Sequence, residues 1–118
     1  KAYCCIASNA RDFARFGKLY KQNGRWNGQQ ILDSTFITKS LQPRFANSPE
    51  YGYGWWLHTV KGKKVFYMRG HLGQFVIVIP EDDIIIVRLG HLKGLQTKTD
   101  AHSNDLYVYI EEAYKMIN

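Results

Sequence analysis

The sequence is short of acidic residues, of cysteine and of long apolar runs. Ten Asp and Glu stand against sixteen Lys and Arg, a formal charge of +6. Such an excess suits an anionic partner, yet no basic stretch is long enough to form a nucleic-acid-binding arm. Lys61, Lys63 and Lys64 fall at a turn, Lys93 and Lys98 in a loop, and Arg11, Arg15, Lys18 and Lys21 along one helix. The excess therefore reads as solvated surface, with no nucleic acid expected. The longest apolar run, Phe75 to Ile79, is a strand's length, far below the ~20 residues that cross a bilayer. No transmembrane segment is expected. The two cysteines, Cys4 and Cys5, are adjacent. That is not metal-ligand spacing, and a bridge between neighbours closes a strained ring, so two buried free thiols are expected. No other spacing suggests a metal, and neither metal nor cofactor is expected. Lys1 to Cys5 has neither the apolar core nor the cleavage site of a secretory signal. Position 1 is not Met, so the chain is expected to begin inside a longer product.

What is present points to one globular domain over residues 1–118, with 45% hydrophobic and 14% aromatic residues. Residues 9–23 predict a helix. Asn9 is an N-cap with Asp12 at the third helical position. Phe13, Phe16, Gly17 and Tyr20 recur at helical period, and Asn23-Gly24 is a left-handed stop. Asn27-Gly28 is a turn. A second helix starts from an Asp33 cap, carries Phe36, Ile37 and Leu41, and ends before Pro43.

Sheet follows. Tyr51 to Val60 is β-prone, and Lys61-Gly62 turns the chain into Lys64 to Arg69. Gln74 to Ile79 and Ile84 to Leu89 form a second hairpin around residues 80–83. Ile84-Ile85-Ile86-Val87 lacks alternation, which predicts a central strand covered on both faces. Residues 104–117 return to helical period through Leu106, Ile110, Ala113, Tyr114 and Ile117. The class is α+β: an antiparallel sheet of three to four strands, two N-terminal helices and a C-terminal helix.

Between two of these strands lies Arg69-Gly70-His71-Leu72-Gly73-Gln74. Glycine inside a strand pattern marks a bulge or a close approach by a ligand or backbone, and a histidine there can donate, accept or carry charge near neutral pH. The segment reads as the wall of an active site. Trp55 and Trp56 point to opposite faces, so at least one packs in the core while the other can border a substrate cleft. His58, His91 and His102 read as exposed structural residues, Arg88 as the partner of an unidentified carboxylate, and Ser103-Asn104-Asp105 as a helix cap.

Four segments, in order, resemble the serine hydrolases of the β-lactamase and penicillin-binding-protein superfamily. Asn9-Ala10-Arg11-Asp12-Phe13-Ala14-Arg15-Phe16-Gly17 resembles that family's T-A-R-D-L-A-R-F-G helix. Gly24-Arg25-Trp26-Asn27-Gly28-Gln29-Gln30-Ile31-Leu32 fits the loop after it. Tyr51-Gly52-Tyr53-Gly54-Trp55-Trp56 resembles the G-Y-G-W-W strand, and Gly70-His71-Leu72-Gly73-Gln74 with Val78-Ile79-Pro80-Glu81 the G-H-x-G-Q … V-I-P-E hairpin. The likeness is to the class C-like branch of esterases, D-aminopeptidases and 6-aminohexanoate-dimer hydrolases. It implies the C-terminal part of an α/β sandwich whose chemistry uses Ser-x-x-Lys, then Tyr-x-Asn or Ser-x-Asn, then Lys-Thr-Gly or His-x-Gly. His71-Leu72-Gly73 is implied as that third motif, on the strand edging the site. The Gln74 amide is implied as one oxyanion donor, Gly73 as the place where the acyl group lies close, and His71 as the stand-in for the family's lysine. Leu72 replaces the usual Thr or Ser, which tilts the substrate from a β-lactam toward an ester or peptide. The family's frequent export implies a periplasmic or surface address.

The remaining motifs are missing. None of Ser8, Ser34, Ser40, Ser48 or Ser103 precedes a lysine by three residues, and no Tyr-x-Asn pair occurs. Alone, the fragment is expected to be inactive. The competing readings are a catalytically silent binding or regulatory module, and a basic α+β module whose binding to an anionic polymer would depend on salt. An uncovered sheet edge predicts a dimer or domain swap for the isolated chain.

Overall fold

The computed structural model describes residues 5–92 and 101–117. Helix α1 (Ala10–Lys21) starts at its sequence-predicted cap. Asn9 Oδ1 accepts the Asp12 N–H at 2.9 Å, and Asp12 Oδ2 accepts from the Asn9 side-chain amide at 3.2 Å. It stops at Asn23-Gly24, where the Gly24 N–H closes onto Leu19 O at 2.9 Å. Strands β1 (Arg25–Trp26) and β2 (Gln29–Gln30) pair around Asn27-Gly28, whose φ values of 49° and 79° belong to a primed hairpin turn. The sequence shows that turn but not its two-residue strands. Helix α2 (Ser34–Ser40) is capped by Asp33, which accepts the Phe36 N–H at 3.1 Å.

Four antiparallel strands follow in the order β3 (Trp56–Val60), β4 (Lys63–Arg69), β5 (Phe75–Ile79) and β6 (Ile84–Arg88). Two expectations are corrected here. The first strand begins at Trp56, not Tyr51, which makes only an isolated bridge to Trp56. The central, fully buried strand is β5, and β6 lies at the sheet edge with every residue half-buried. Its unbroken apolar run serves two helices, since α1 and α3 (Asn104–Ile117) both contact it.

The sheet separates two cores. On one face, Phe66 and Val78 pack with Tyr20 of α1, Ile37 of α2 and Trp55. On the other, Val65, Tyr67, Phe75, Ile77 and Ile79 pack with Leu106 and Ile110 of α3. Period-2 alternation along β4 and β5 sorts the side chains between these cores. Among the described residues, no helix is long and apolar enough to cross a membrane.

Three further expectations change. Cys5 is exposed and disulfide-bonded, not a buried free thiol. Cys4, Lys93 and Lys98 lie outside the described residues. His102 is 5% exposed and stacks on half-buried His58 at 3.8 Å. The Tyr67 hydroxyl bonds His102 Nδ1 at 2.6 Å, and Tyr107 bonds His58 Nε2 at 2.9 Å. Aromatic partners far along the chain bring these rings inward. Helix α3 begins directly after Ser103, but the Ser103 Oγ makes no cap bond among the described residues. The backbone bond from Leu106 N to Ser103 O, 3.2 Å, opens the turn instead.

At the opposite end of the sheet from residues 70–74, Lys63 and the Tyr114 hydroxyl both donate to Asp82 Oδ2. This ties α3 to the β5–β6 turn. The hydrogen bond from Lys63, then that from Tyr114, holds the Asp82 carboxyl below its ordinary value of 3.8, and the same bond raises Lys63 above 10.5. The carboxylate's contribution is therefore present above pH 3.8 and lost as pH falls through the lower folded value. The lysine's contribution is present below 10.5 and lost as pH rises through the higher folded value. Asp82→Asn is expected to lower the thermal midpoint at neutral pH. That gap should narrow as pH falls below 3.8 and through the lower folded value, which a series of midpoints from neutral to acid pH checks.

Candidate active-site turn

Residues 70–74 form the turn that joins β4 to β5. The motif thus lies in a turn and not on a strand, at the end of the two central strands of the four. Its hydrogen bonds explain its shape. Gly70 N donates to Gln74 O at 2.8 Å, Gly73 N to Gly70 O at 3.1 Å, and Leu72 N to the Gln74 side-chain oxygen at 3.1 Å. In a regular ladder Gln74 N would return the bond to Gly70 O. Here Gly73, at φ +84°, has turned its own N–H onto that acceptor. Among the described residues, the Gln74 N–H is left without a hydrogen-bond partner, at a half-buried position.

The carbonyls of the turn are also held. Arg88, at the end of β6 and paired in register with Phe75, places Nη1 at 2.7 Å from Gly73 O, 3.3 Å from Leu72 O and 3.1 Å from Gly90 O. Its Nη2 donates to Leu92 O. The carboxylate partner expected for Arg88 is absent among the described residues; backbone carbonyls take its place. Nothing in the sequence pattern signals such a partner.

The sequence-predicted site residues sort as follows. Gly73 is buried inside the turn and Gln74 is half-buried, while His71 and Leu72 are exposed. Trp55 is the core member of its pair, 2% exposed, with its ring near those of Tyr20 (4.9 Å), Phe66 (5.0 Å) and Phe16 (6.0 Å). Trp56 lies on the other face, half-buried, with the Arg69 guanidinium 4.0 Å above its ring. Arg69 also donates to Ala101 O at 3.0 Å. Trp56 thus connects through Arg69 to the start of the turn. Among the described residues, the arrangement offers an unpaired backbone donor beside a guanidinium with no carboxylate partner, and an imidazole and an apolar side chain are exposed next to it. Chemically, it can stabilise negative charge developing on an oxygen.

The beta-lactamase family model matches residues 5–108. No curated protein matches the chain. Among solved structures, the chain is similar to the "Putative 6-aminohexanoate-dimer hydrolase from Bacillus anthracis", with 26% identity and TM-score 0.65 over 93% of this chain and 28% of that one. It also shares its fold with the "putative beta-lactamase from Bacteroides dorei DSM 17855", at 19% identity and TM-score 0.62, over 89% of this chain and 39% of that one. The chain thus spans well under half the length of either solved relative.

Proposed function

Because the chain belongs to the beta-lactamase family, we propose that it is the C-terminal segment of a serine hydrolase working through an acyl-enzyme. Its substrate is an ester, amide or β-lactam, and residues 70–74 supply one half of the oxyanion hole. The observation that carries this reading is the half-buried Gln74 N–H, left unpaired among the described residues while the N–H groups of Gly70, Leu72 and Gly73 are all hydrogen-bonded. The nucleophile and base come from the portion of the whole protein outside this chain. A serine oxygen there attacks the substrate carbonyl, and the oxyanion that forms accepts from Gln74 N–H and from the nucleophile's own amide. Collapse expels the alcohol or amine, and water then releases the acid.

Gly73 lets the acyl group lie against the turn, and His71 stands in place of a lysine to polarise the hydroxyl network or hold a substrate carboxylate. Trp56 borders the cleft. Leu72 offers no hydroxyl to a β-lactam carboxylate, which favours esters and linear amides. The likeness to a protein described as a 6-aminohexanoate-dimer hydrolase supports that preference.

A pre-steady-state comparison tests the reading. The whole protein is expected to release p-nitrophenol from a short-chain ester with a burst matching the enzyme concentration, and to be acylated more slowly by penicillin. A folded protein with no burst toward either compound would favour the silent binding module instead. Among the described residues, β3 and β6 are the outer strands and pair on one side only, and unpaired strand edges invite association. Light scattering of the isolated chain should therefore show a dimer or larger species, and a clean monomer would contradict this.

A further inference from the structure

We infer that Arg88 is the positioning residue that aims the Gln74 amide, an inference that rests on the oxyanion reading above. A trans peptide is planar, so its C=O and the following N–H point in opposite directions. The Gly73 carbonyl and the Gln74 N–H belong to one such plane. By holding Gly73 O at 2.7 Å, Arg88 Nη1 fixes where the Gln74 N–H points. The contacts at Leu72 O (3.3 Å) and Gly90 O (3.1 Å), with Nη2 on Leu92 O, anchor the guanidinium itself. A planar fork with five donors can bridge this many carbonyls; an ammonium cannot hold the same geometry.

Two features separate this arrangement from an ordinary loop staple. Among the described residues no carboxylate neutralises Arg88, so its positive charge acts on the turn. A cation bonded to the carbonyl of a peptide also polarises that peptide's N–H and strengthens it as a donor. Second, the chain makes room for the cation. A Cβ at Gly90 would lie 2.7 Å from both Cζ and Nη2 of Arg88.

The test compares Arg88→Met and Arg88→Lys with the parent in the whole protein, using an ester and its thionoester, whose sulfur fits an oxyanion hole poorly. Arg88→Met is expected to lower kcat on the ester about 10- to 100-fold, somewhat less than loss of a donor outright. KM should stay within about twofold, since the oxyanion exists only in the transition state. The preference for ester over thionoester should shrink in step, and Arg88→Lys should recover part of both. A kcat loss with the preference unchanged would overturn the inference, because disordering alone slows both substrates equally. If the parent itself shows no acylation, the hydrolase reading is what fails. Amide exchange then decides the positioning role: at least tenfold faster exchange at Leu72 and Gly73 in Arg88→Met supports it, and unchanged exchange overturns it.

Discussion

Replacing the Gln74 N–H by an ester oxygen is expected to slow acylation of the whole protein by about 10²- to 10³-fold, the usual effect of removing one oxyanion donor. The substitution, introduced as the α-hydroxy analogue of glutamine, leaves the side chain in place. The Gln74 oxygen therefore still receives the Leu72 N–H at 3.1 Å. Because the Gln74 N–H has no partner among the described residues, its removal takes away no hydrogen bond among them, although the Gly73 carbonyl, now an ester, accepts less strongly from Arg88 Nη1 at 2.7 Å. The thermal midpoint should barely move while kcat collapses, and KM should change little because ground-state binding does not use the donor. Gln74→Ala is the reciprocal control. It keeps the N–H but loses the bond that shapes the turn, and should cost less than about tenfold in kcat. Stopped-flow acylation with a chromogenic ester checks both. Equal losses in the two variants would show that the turn's shape, not the donor, is what matters.

Trp55→Ala is expected to destabilise the fold by about 3–5 kcal/mol, as large-to-small changes at buried aromatics do. The ring is 2% exposed and in contact with α1 through Tyr20 and Phe16, and with β4 through Phe66 in an edge-on geometry. It links the helical layer to the sheet, and no neighbour can collapse to fill the space of an indole. A loss of that size approaches the whole stability of many domains. Trp56→Ala should cost far less. That ring is half-buried; besides its packing on Tyr67 (6.3 Å) and Tyr51 (5.2 Å), it loses the Arg69 contact at 4.0 Å, worth about 0.5–1 kcal/mol. Urea denaturation of the two variants checks the contrast. Similar midpoints would mean that the two rings do not divide into core and cleft.

Much of the fold was legible because its signals are local. Asn9, Asp33, Asn27-Gly28 and Lys61-Gly62 each fix a cap or a turn through chemistry acting within a few residues. The ranking of strands was not legible. Phe75-Val76-Ile77-Val78-Ile79 and Ile84-Ile85-Ile86-Val87 are equally apolar, and which lies in the centre depends on pairing with β4, a distant choice. The histidine pair was hidden for the same reason, since His58 and His102 meet only once α3 has docked. At the turn, Gly-His-Leu-Gly-Gln identifies a special segment, and the family resemblance implied its role. What supports the proposed role is a backbone matter: Gly73 takes the acceptor that Gln74 would have used, and Arg88 grips carbonyls that carry no side-chain signature.

On the proposed function, this chain is the oxyanion wall of a serine hydrolase whose nucleophile lies elsewhere in the whole protein. Labelling that protein with a fluorophosphonate and mapping the adduct by mass spectrometry tests it most directly. One adduct is expected, on a serine outside residues 1–118 that is followed three residues later by lysine. A folded protein without an adduct, or an adduct on a serine of this chain, would contradict it.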